Sequence, residues 1–193
     1  MEALTLFQYI MKNAISITQL ITIIVLVISL WITYKEFQRS NKVRKQDIYT
    51  KLELSSIELF KIAIDHPEIE KIYDAKIEKD ISDIEKERLL EYTACLLNLF
   101  EIQFNLRLSG DIEPVIFGSW MPWFYDLCRT SYFKEVWKNL QKHYTPRFRE
   151  FINSLINTID TASESEKEKM FYEKASQLMG DDEVIKNWLK GIE

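Results

Sequence analysis

The chain has 193 residues, 30 acidic against 25 basic side chains, and a net charge of −5. An acidic balance excludes sequence-independent nucleic-acid binding by the bulk of the chain, because phosphate contacts need clustered Lys and Arg. Two cysteines, Cys95 and Cys128, lie far apart on apolar segments; they are expected to be reduced core residues, neither a disulfide nor a metal pair.

The first element is AISITQLITIIVLVISLWITY, Ala14 to Tyr34. It holds no charge, no Gly and no Pro. About 20 apolar residues at about 1.5 Å rise each cross a hydrocarbon core of about 30 Å. Trp31 and Tyr34 close the run, where amphipathic rings favour an interface. A signal peptide fits less well, since the run is long and no small-x-small cleavage site follows it. Beyond it lies KEFQRSNKVRKQ, where Lys35, Arg39, Lys42, Arg44 and Lys45 face only Glu36. The other flank has Lys12 against Glu2. Basic residues flanking a span stay cytoplasmic. The expected organisation is therefore 1-13 as a short periplasmic N-terminus, 14-34 as a single transmembrane helix, and 35-193 as a cytosolic helical bundle domain. The basic cluster is placed to sit on anionic lipid headgroups.

Polar residues inside the span form a pattern. Gln19, Thr22, Leu26, Ser29 and Thr33 are spaced 3, 4, 3 and 4, the a/d spacing of a heptad, and Glu36, Ser40, Val43 and Asp47 continue it. Such a stripe is open to two readings. It is a self-association or pore-lining face, where interhelical hydrogen bonds satisfy the polar groups. Or it is incidental, with Ser and Thr bonding to their own helix and Gln19 reaching the interface.

From Lys35 the helical pattern meets no breaker before His66-Pro67, so the first helix runs to Asp65 as one rod or bends near Ser40-Asn41. Ile48, Leu52, Ile57, Phe60 and Ile64 read as its buried face. PEIEKIYD forms a short helical turn after Pro67. Asp80 to Ser82 supply N-cap types for a second long helix, with Leu89, Leu90, Ala94, Leu97, Phe100 and Phe104 facing inward and Gly110 closing it. Pro114 and Pro122 limit the aromatic segment DIEPVIFGSWMPWFYDLCRTS to short helices. Tyr132 to Ile159 reads as one long helix, kinked at Thr145-Pro146. TASESEKEKMFYEKASQLM is expected to be a solvated amphipathic helix started by Ser or Thr caps. Asp181-Asp182 precede a last short helix, the order the helix dipole favours. No stretch alternates with period two for long, so the class is all-α.

Chemistry is sparse. There are two histidines, His66 and His143, and no CxxC, HExxH, Walker loop or GxSxG. Asp80, Asp83, Glu85 and Glu87 read as a solvated charge run. Trp120, Trp123, Phe124 and Trp137 are spaced for helix packing. No catalytic residue, metal ligand or cofactor is expected. Arg129, Lys138 and His143 make a candidate polar patch.

The order of parts carries a resemblance: a single N-terminal span, a basic juxtamembrane helix, HPEIEKIYD, a helix ending FEIQFNLRLSG, then SWMPWFYDLCRTSYFKEVWKNLQKHYTPRFREFI. Over nearly its whole length the chain resembles the small single-span accessory membrane proteins of type VI-B CRISPR systems. The resemblance implies a HEPN-like bundle, a bacterial inner-membrane location, and antiviral (phage) defence through strengthened interference by the RNA-guided ribonuclease. It also implies a homo-oligomeric ring larger than a dimer whose opening disturbs the membrane. Catalytic HEPN ribonucleases carry Arg, four to six residues, then His. Here His143 has Lys138 at the nearest spacing, Arg129 is too far back, and His66 has Lys61. An ammonium lacks the guanidinium fork that grips phosphate, so RNA cleavage and direct nucleic-acid binding are not expected. The alternatives are a membrane-tethered HEPN ribonuclease, or a non-enzymatic adaptor docking through Trp120 to Trp137.

Overall fold

The computed structural model describes residues 2–73 and 82–190, with side chains throughout except at 2–4, 6, 7, 10, 12, 13, 15 and 16. Asp80 and the Lys12 side chain, both used above, lie outside the described residues. Every element described is helical, and there is no strand among the described residues. The chain divides into two compact units, Met1–Gln46 and Asp47–Glu193.

The first unit lies within α1, Glu2–Asp65. Hydrogen bonding of α1 continues through Ser40 and Asn41 without interruption, as expected of a stretch with neither Gly nor Pro. Every residue from Ile17 to Ser40 is exposed.

The second unit is a bundle of short helices. Its share of α1 ends at Asp65, because Pro67 has no N–H and disfavours helical geometry in the residue before it. A 3-10 segment, Pro67–Tyr73, follows and buries Ile69 and Ile72. α2 spans Asp83–Leu108. It opens on a capping box: the Ser82 hydroxyl accepts from the Glu85 N–H, and the Ser82 N–H donates back to the Glu85 carboxylate at 2.8 Å. It closes at Gly110, whose φ of 75° is open only to a residue without Cβ strain. The Gly110 and Asp111 N–H groups donate to the Arg107 and Leu106 carbonyls, the Schellman arrangement.

Then come α3, Pro114–Gly118, α4, Met121–Cys128, and α5, Ser131–Leu140. Pro114 and Pro122 sit in the first turns of α3 and α4, where a missing N–H loses nothing. α6 is Pro146–Thr161, α7 is Lys167–Leu178 and α8 is Glu183–Lys186. α7 packs against α6 and α8, α3 against α8, and α2 against α3, α5 and the 3-10 segment.

The core is aromatic. Phe100 meets Phe124 edge-on with centroids 3.7 Å apart, and Phe104 lies 4.8 Å from Phe151 and 5.5 Å from Phe148. Trp137 joins the same group through Phe148 and donates its indole N–H to Asn153 at 2.7 Å. Rings from α2, α4, α5 and α6 thus interlock, edge-to-face at Phe100–Phe124 and Trp137–Phe148 as aromatic quadrupoles favour, and tilted at Phe104.

Several expectations need correction. The buried face of α1 in this unit is Leu52, Ser56 and Leu59, with Ile48 and Ala63 beside it. Ile57 and Phe60 are 45 % exposed and Ile64 is 76 % exposed. Apolar residues occur on more than one face here, so periodicity alone selects the wrong stripe. Leu90 is exposed and Ala94 half-buried. Residues 132–159 are not one kinked helix: α5 ends at Leu140, a 3-10 turn covers Gln141–His143, and Pro146 starts α6 afresh. Tyr144 and Thr145 take extended backbone, the conformation preferred before proline. Cys128 is buried, and burial pushes its thiol pKa up, but Cys95 is exposed on α2. α7 is amphipathic, burying Phe171, Tyr172 and Ala175, yet its cap is Glu166 with no side-chain cap bond, not a Ser or Thr. Asp182 does cap α8: one oxygen accepts from the Val184 and Ile185 N–H groups and the other from Arg107 at 2.5 Å.

Two stability predictions follow from this packing. A Cβ on Gly118 would lie 2.6 Å from the Trp188 ring. Gly118→Ala should therefore lower unfolding stability by about 1–3 kcal/mol, the usual penalty of overpacking, as read by urea denaturation. The second concerns pH. The Ser82 hydroxyl and N–H hold the Glu85 carboxyl below its ordinary range. A depressed carboxylate contributes stability above its unfolded pKa and loses it as pH falls through the folded one. Ser82→Ala should lower the unfolding midpoint at pH 7, and the gap from the parent chain should narrow as pH falls below about 4.

Candidate functional site

Two sets of residues stand out in the sequence, the stripe on the apolar helix and the polar patch of the bundle. The apolar helix segment contains an 18-residue window of mean hydropathy 2.1, and none of it is buried by the rest of the chain. It is long and apolar enough to cross a membrane. A helix that is hydrophobic all round belongs in an apolar surrounding, unlike the one-sided helix of a soluble bundle.

On this helix the stripe residues behave differently from one another. The Thr22 hydroxyl donates to the Thr18 carbonyl at 2.9 Å, and the Thr33 hydroxyl to the Ser29 carbonyl at 2.8 Å. Thr18, off the stripe, donates to Ala14 in the same way at 2.9 Å. These are the i to i−4 bonds by which Ser and Thr satisfy themselves in apolar surroundings. Gln19 and Ser29 have no side-chain partner among the described residues, and Leu26 is exposed with them. A primary amide carries two donors and an acceptor that its own helix does not satisfy here. The stripe therefore reduces to Gln19 and, more weakly, Ser29.

The far end of the segment carries its own polar contacts. The Lys35 ammonium lies 5.9 Å from the Trp31 ring centroid, within cation–π reach, and the Gln38 amide donates to the Tyr34 hydroxyl at 2.5 Å. Lys35, Arg39, Lys42 and Arg44 are exposed and Lys45 half-buried, so the basic cluster is presented along α1.

Arg129, Lys138 and His143 lie on three consecutive elements of the bundle. Arg129 caps the C-terminal end of α4, 3.6 Å from Asp126 and 5.9 Å from the Tyr125 ring. His143 ends the 3-10 turn that follows α5, and Lys138 lies in the last turns of α5. The whole length of α5 separates Arg129 from His143, and no hydrogen bond or ion pair joins any two of the three among the described residues. His66 lies 3.6 Å from Glu68, which also takes an Arg88 ion pair. That group closes the turn after α1. No group of three or more metal-ligating side chains occurs among the described residues.

Sequence reasoning missed a different arrangement. Glu53, Ser56 and Phe60 of α1 meet Ser119, Trp120 and Trp123 around a small cavity of the second unit. Residues 60 positions apart give no local signal of such a meeting; only the uncovered Phe60 ring, on a face read as core, hints at it.

No family model, curated protein or solved structure matches the chain.

If the patch is unassembled, its members should act independently. Arg129→Ala, Lys138→Ala and His143→Ala should each shift stability by no more than about 0.5 kcal/mol. Their pairwise double-mutant cycles should be additive within about 0.5 kcal/mol, as measured by chemical denaturation.

Proposed function

We propose that the chain is a membrane-embedded, homo-oligomeric pore-forming protein. In this reading it enhances RNA-targeting CRISPR defence against phage by perturbing the inner membrane, and it does so without catalysis. The observation that carries the reading is the uncharged helix segment ending at Tyr34, which none of the described residues covers and in which Gln19 has no side-chain partner among them. Lipid supplies the apolar surrounding. Copies of the same helix, or water in a lumen between them, supply the hydrogen bonds that one chain lacks. The basic cluster from Lys35 to Lys45 favours the cytoplasmic headgroups, which puts the N-terminus outside and the bundle inside. The defence role rests on the resemblance stated above, as does the HEPN-like description of the bundle. The lack of an Arg at the spacing a HEPN site needs before His143 or His66 supports the non-enzymatic reading.

A second reading has an observation of its own. Thr18, Thr22 and Thr33 are satisfied within their helix, as in a plain membrane anchor. The chain would then be an anchored adaptor, and only Gln19 would distinguish a pore from a tether.

Native mass spectrometry of the detergent-extracted chain separates the two. The pore reading expects a closed ring of more than two chains. Gln19→Leu should weaken each contact by about 1 kcal/mol. Because a ring repeats the contact, smaller assemblies and reduced dye release from vesicles should follow. Thr22→Val, which loses only an internal bond, should retain the ring. A monomer or dimer with no dye release would replace the pore with the anchored adaptor.

A further inference from the structure

The cavity beside Trp120 has a volume of about 190 Å³. The volume share of a liquid water is about 30 Å³, so a group of several heavy atoms fits. Three aromatic rings among its lining residues are set across one another. Phe60 and Trp123 have centroids 4.7 Å apart at 82°, and Trp120 and Trp123 are 5.4 Å apart at 63°. Trp120 is buried, Trp123 half-buried and Phe60 exposed, so the corner they make is partly open.

Glu53 stands at the same cavity. It is half-buried and has no cationic partner among the described residues, although neighbouring acids on the helix do: Asp47 pairs with Lys51 and Glu58 with Lys61. The Tyr49 phenol faces Glu53, whose charge raises its pKa. The Glu53 carboxylate accepts from the Tyr49 hydroxyl but meets no cation among the described residues, and an uncompensated negative charge beside aromatic rings is a definite chemical preference. An anion is repelled by it. A neutral apolar group would take water from the carboxylate and return nothing. A nucleotide would stack its base but bring its phosphate toward the acid. A compact, strongly hydrated cation gains little from ring faces, while a weakly hydrated one gains from both ring and acid.

We propose that Glu53, Phe60, Trp120 and Trp123 form a binding site for a weakly hydrated organic cation, an alkylated ammonium or a guanidinium group. The charge lies against the open faces of Trp123 and Phe60 and pairs with the Glu53 carboxylate. Ser119 and Ser56 line the remainder and accept hydrogen bonds where the group carries N–H. All six residues belong to the second unit, so the site stands whether or not the chain forms a pore. Two sources share this chemistry: a free quaternary ammonium compound, and an arginine side chain of a polypeptide.

The test uses the full chain in a maltoside detergent, which carries no ammonium group. Tetramethylammonium chloride is titrated against sodium chloride at equal ionic strength, followed by tryptophan fluorescence and calorimetry. The expected result is saturable binding near the millimolar range, with no saturation in sodium. Glu53→Gln and Phe60→Leu should each weaken it several-fold. Both change half-buried or exposed side chains, and circular dichroism confirms that the fold is kept. Glu58→Gln, which alters an acid already paired with Lys61, should leave binding unchanged. Choline and N-acetyl-arginine amide then distinguish the sources by which one binds more tightly. Absence of saturable binding, or binding that survives both Glu53→Gln and Phe60→Leu, overturns the proposal.

Discussion

From Ile17 to Tyr34 the chain exposes Ile, Leu and Val on every side of one helix, and none of the described residues covers them. Removing apolar surface from water is the largest favourable term available to a protein, at roughly 25 cal/mol per Å². A helix left this uncovered is long and apolar enough to cross a membrane. The local chemistry agrees with that constraint. Charges are absent until Lys35, threonine hydroxyls turn back to their own carbonyls, and Trp31 and Tyr34 close the run with polar partners one turn further on.

The second unit solves the opposite problem. Its helices after α2 are shorter than α2, and all but α6 fall at or below the length at which an isolated helix is marginal in water. Prolines and a glycine set their ends: Gly110 stops α2, while Pro114, Pro122 and Pro146 each open a new helix. Because the chain turns so often, rings from distant positions converge on one centre around Phe100, Phe104, Phe124 and Phe148. At the other end of the bundle, Arg107 bonds the buried Asp182, which is 3 % exposed and also caps α8. One carboxylate thus fixes both the start of the last helix and its seat against α2. Breaking such a pair strands a buried charge, which is why it acts as a register point more than as a source of stability.

What the sequence discloses is what local physics decides. The apolar segment, the stop at Asp65, the capping box at Ser82, the turn at Gly110 and the Asp182 cap depend on residues a few positions apart, and all are present. The helix break near Pro146 was legible, but not its severity: whether a proline kinks a helix or begins another depends on where the next helix must pack. The inward face of α1 was not legible, since Leu54, Ile57 and Ile64 are as apolar as Leu52 and Leu59. Only tertiary contact separates them. Cys95 was misread as core for the same reason, because apolar neighbours in sequence do not fix the side of the helix. The cavity of Glu53 and Trp123 joins residues 70 positions apart, and no spacing rule reaches that far.

Gln19 concentrates what is left of the functional question. A threonine costs little in hydrocarbon once its hydroxyl bonds one turn back, so Thr22 and Thr33 fit any apolar surrounding. An amide has more to satisfy, and an unmet polar group in an apolar medium costs several kcal/mol. Gln19 lies about 7 Å along the helix from Ala14, at about 1.5 Å per residue. That depth is within reach of a headgroup for a single tilted helix, but it also places the amide opposite its own counterpart in a ring of parallel copies. The two situations differ in what replaces the missing bonds. Water and headgroups satisfy Gln19 in a lone helix at no gain in association. In a ring the bonds exist only when the chains are together, so the same side chain becomes a reason to assemble. Ser29, on the same heptad stripe and deeper from the basic flank than Thr33, adds a weaker version of that preference.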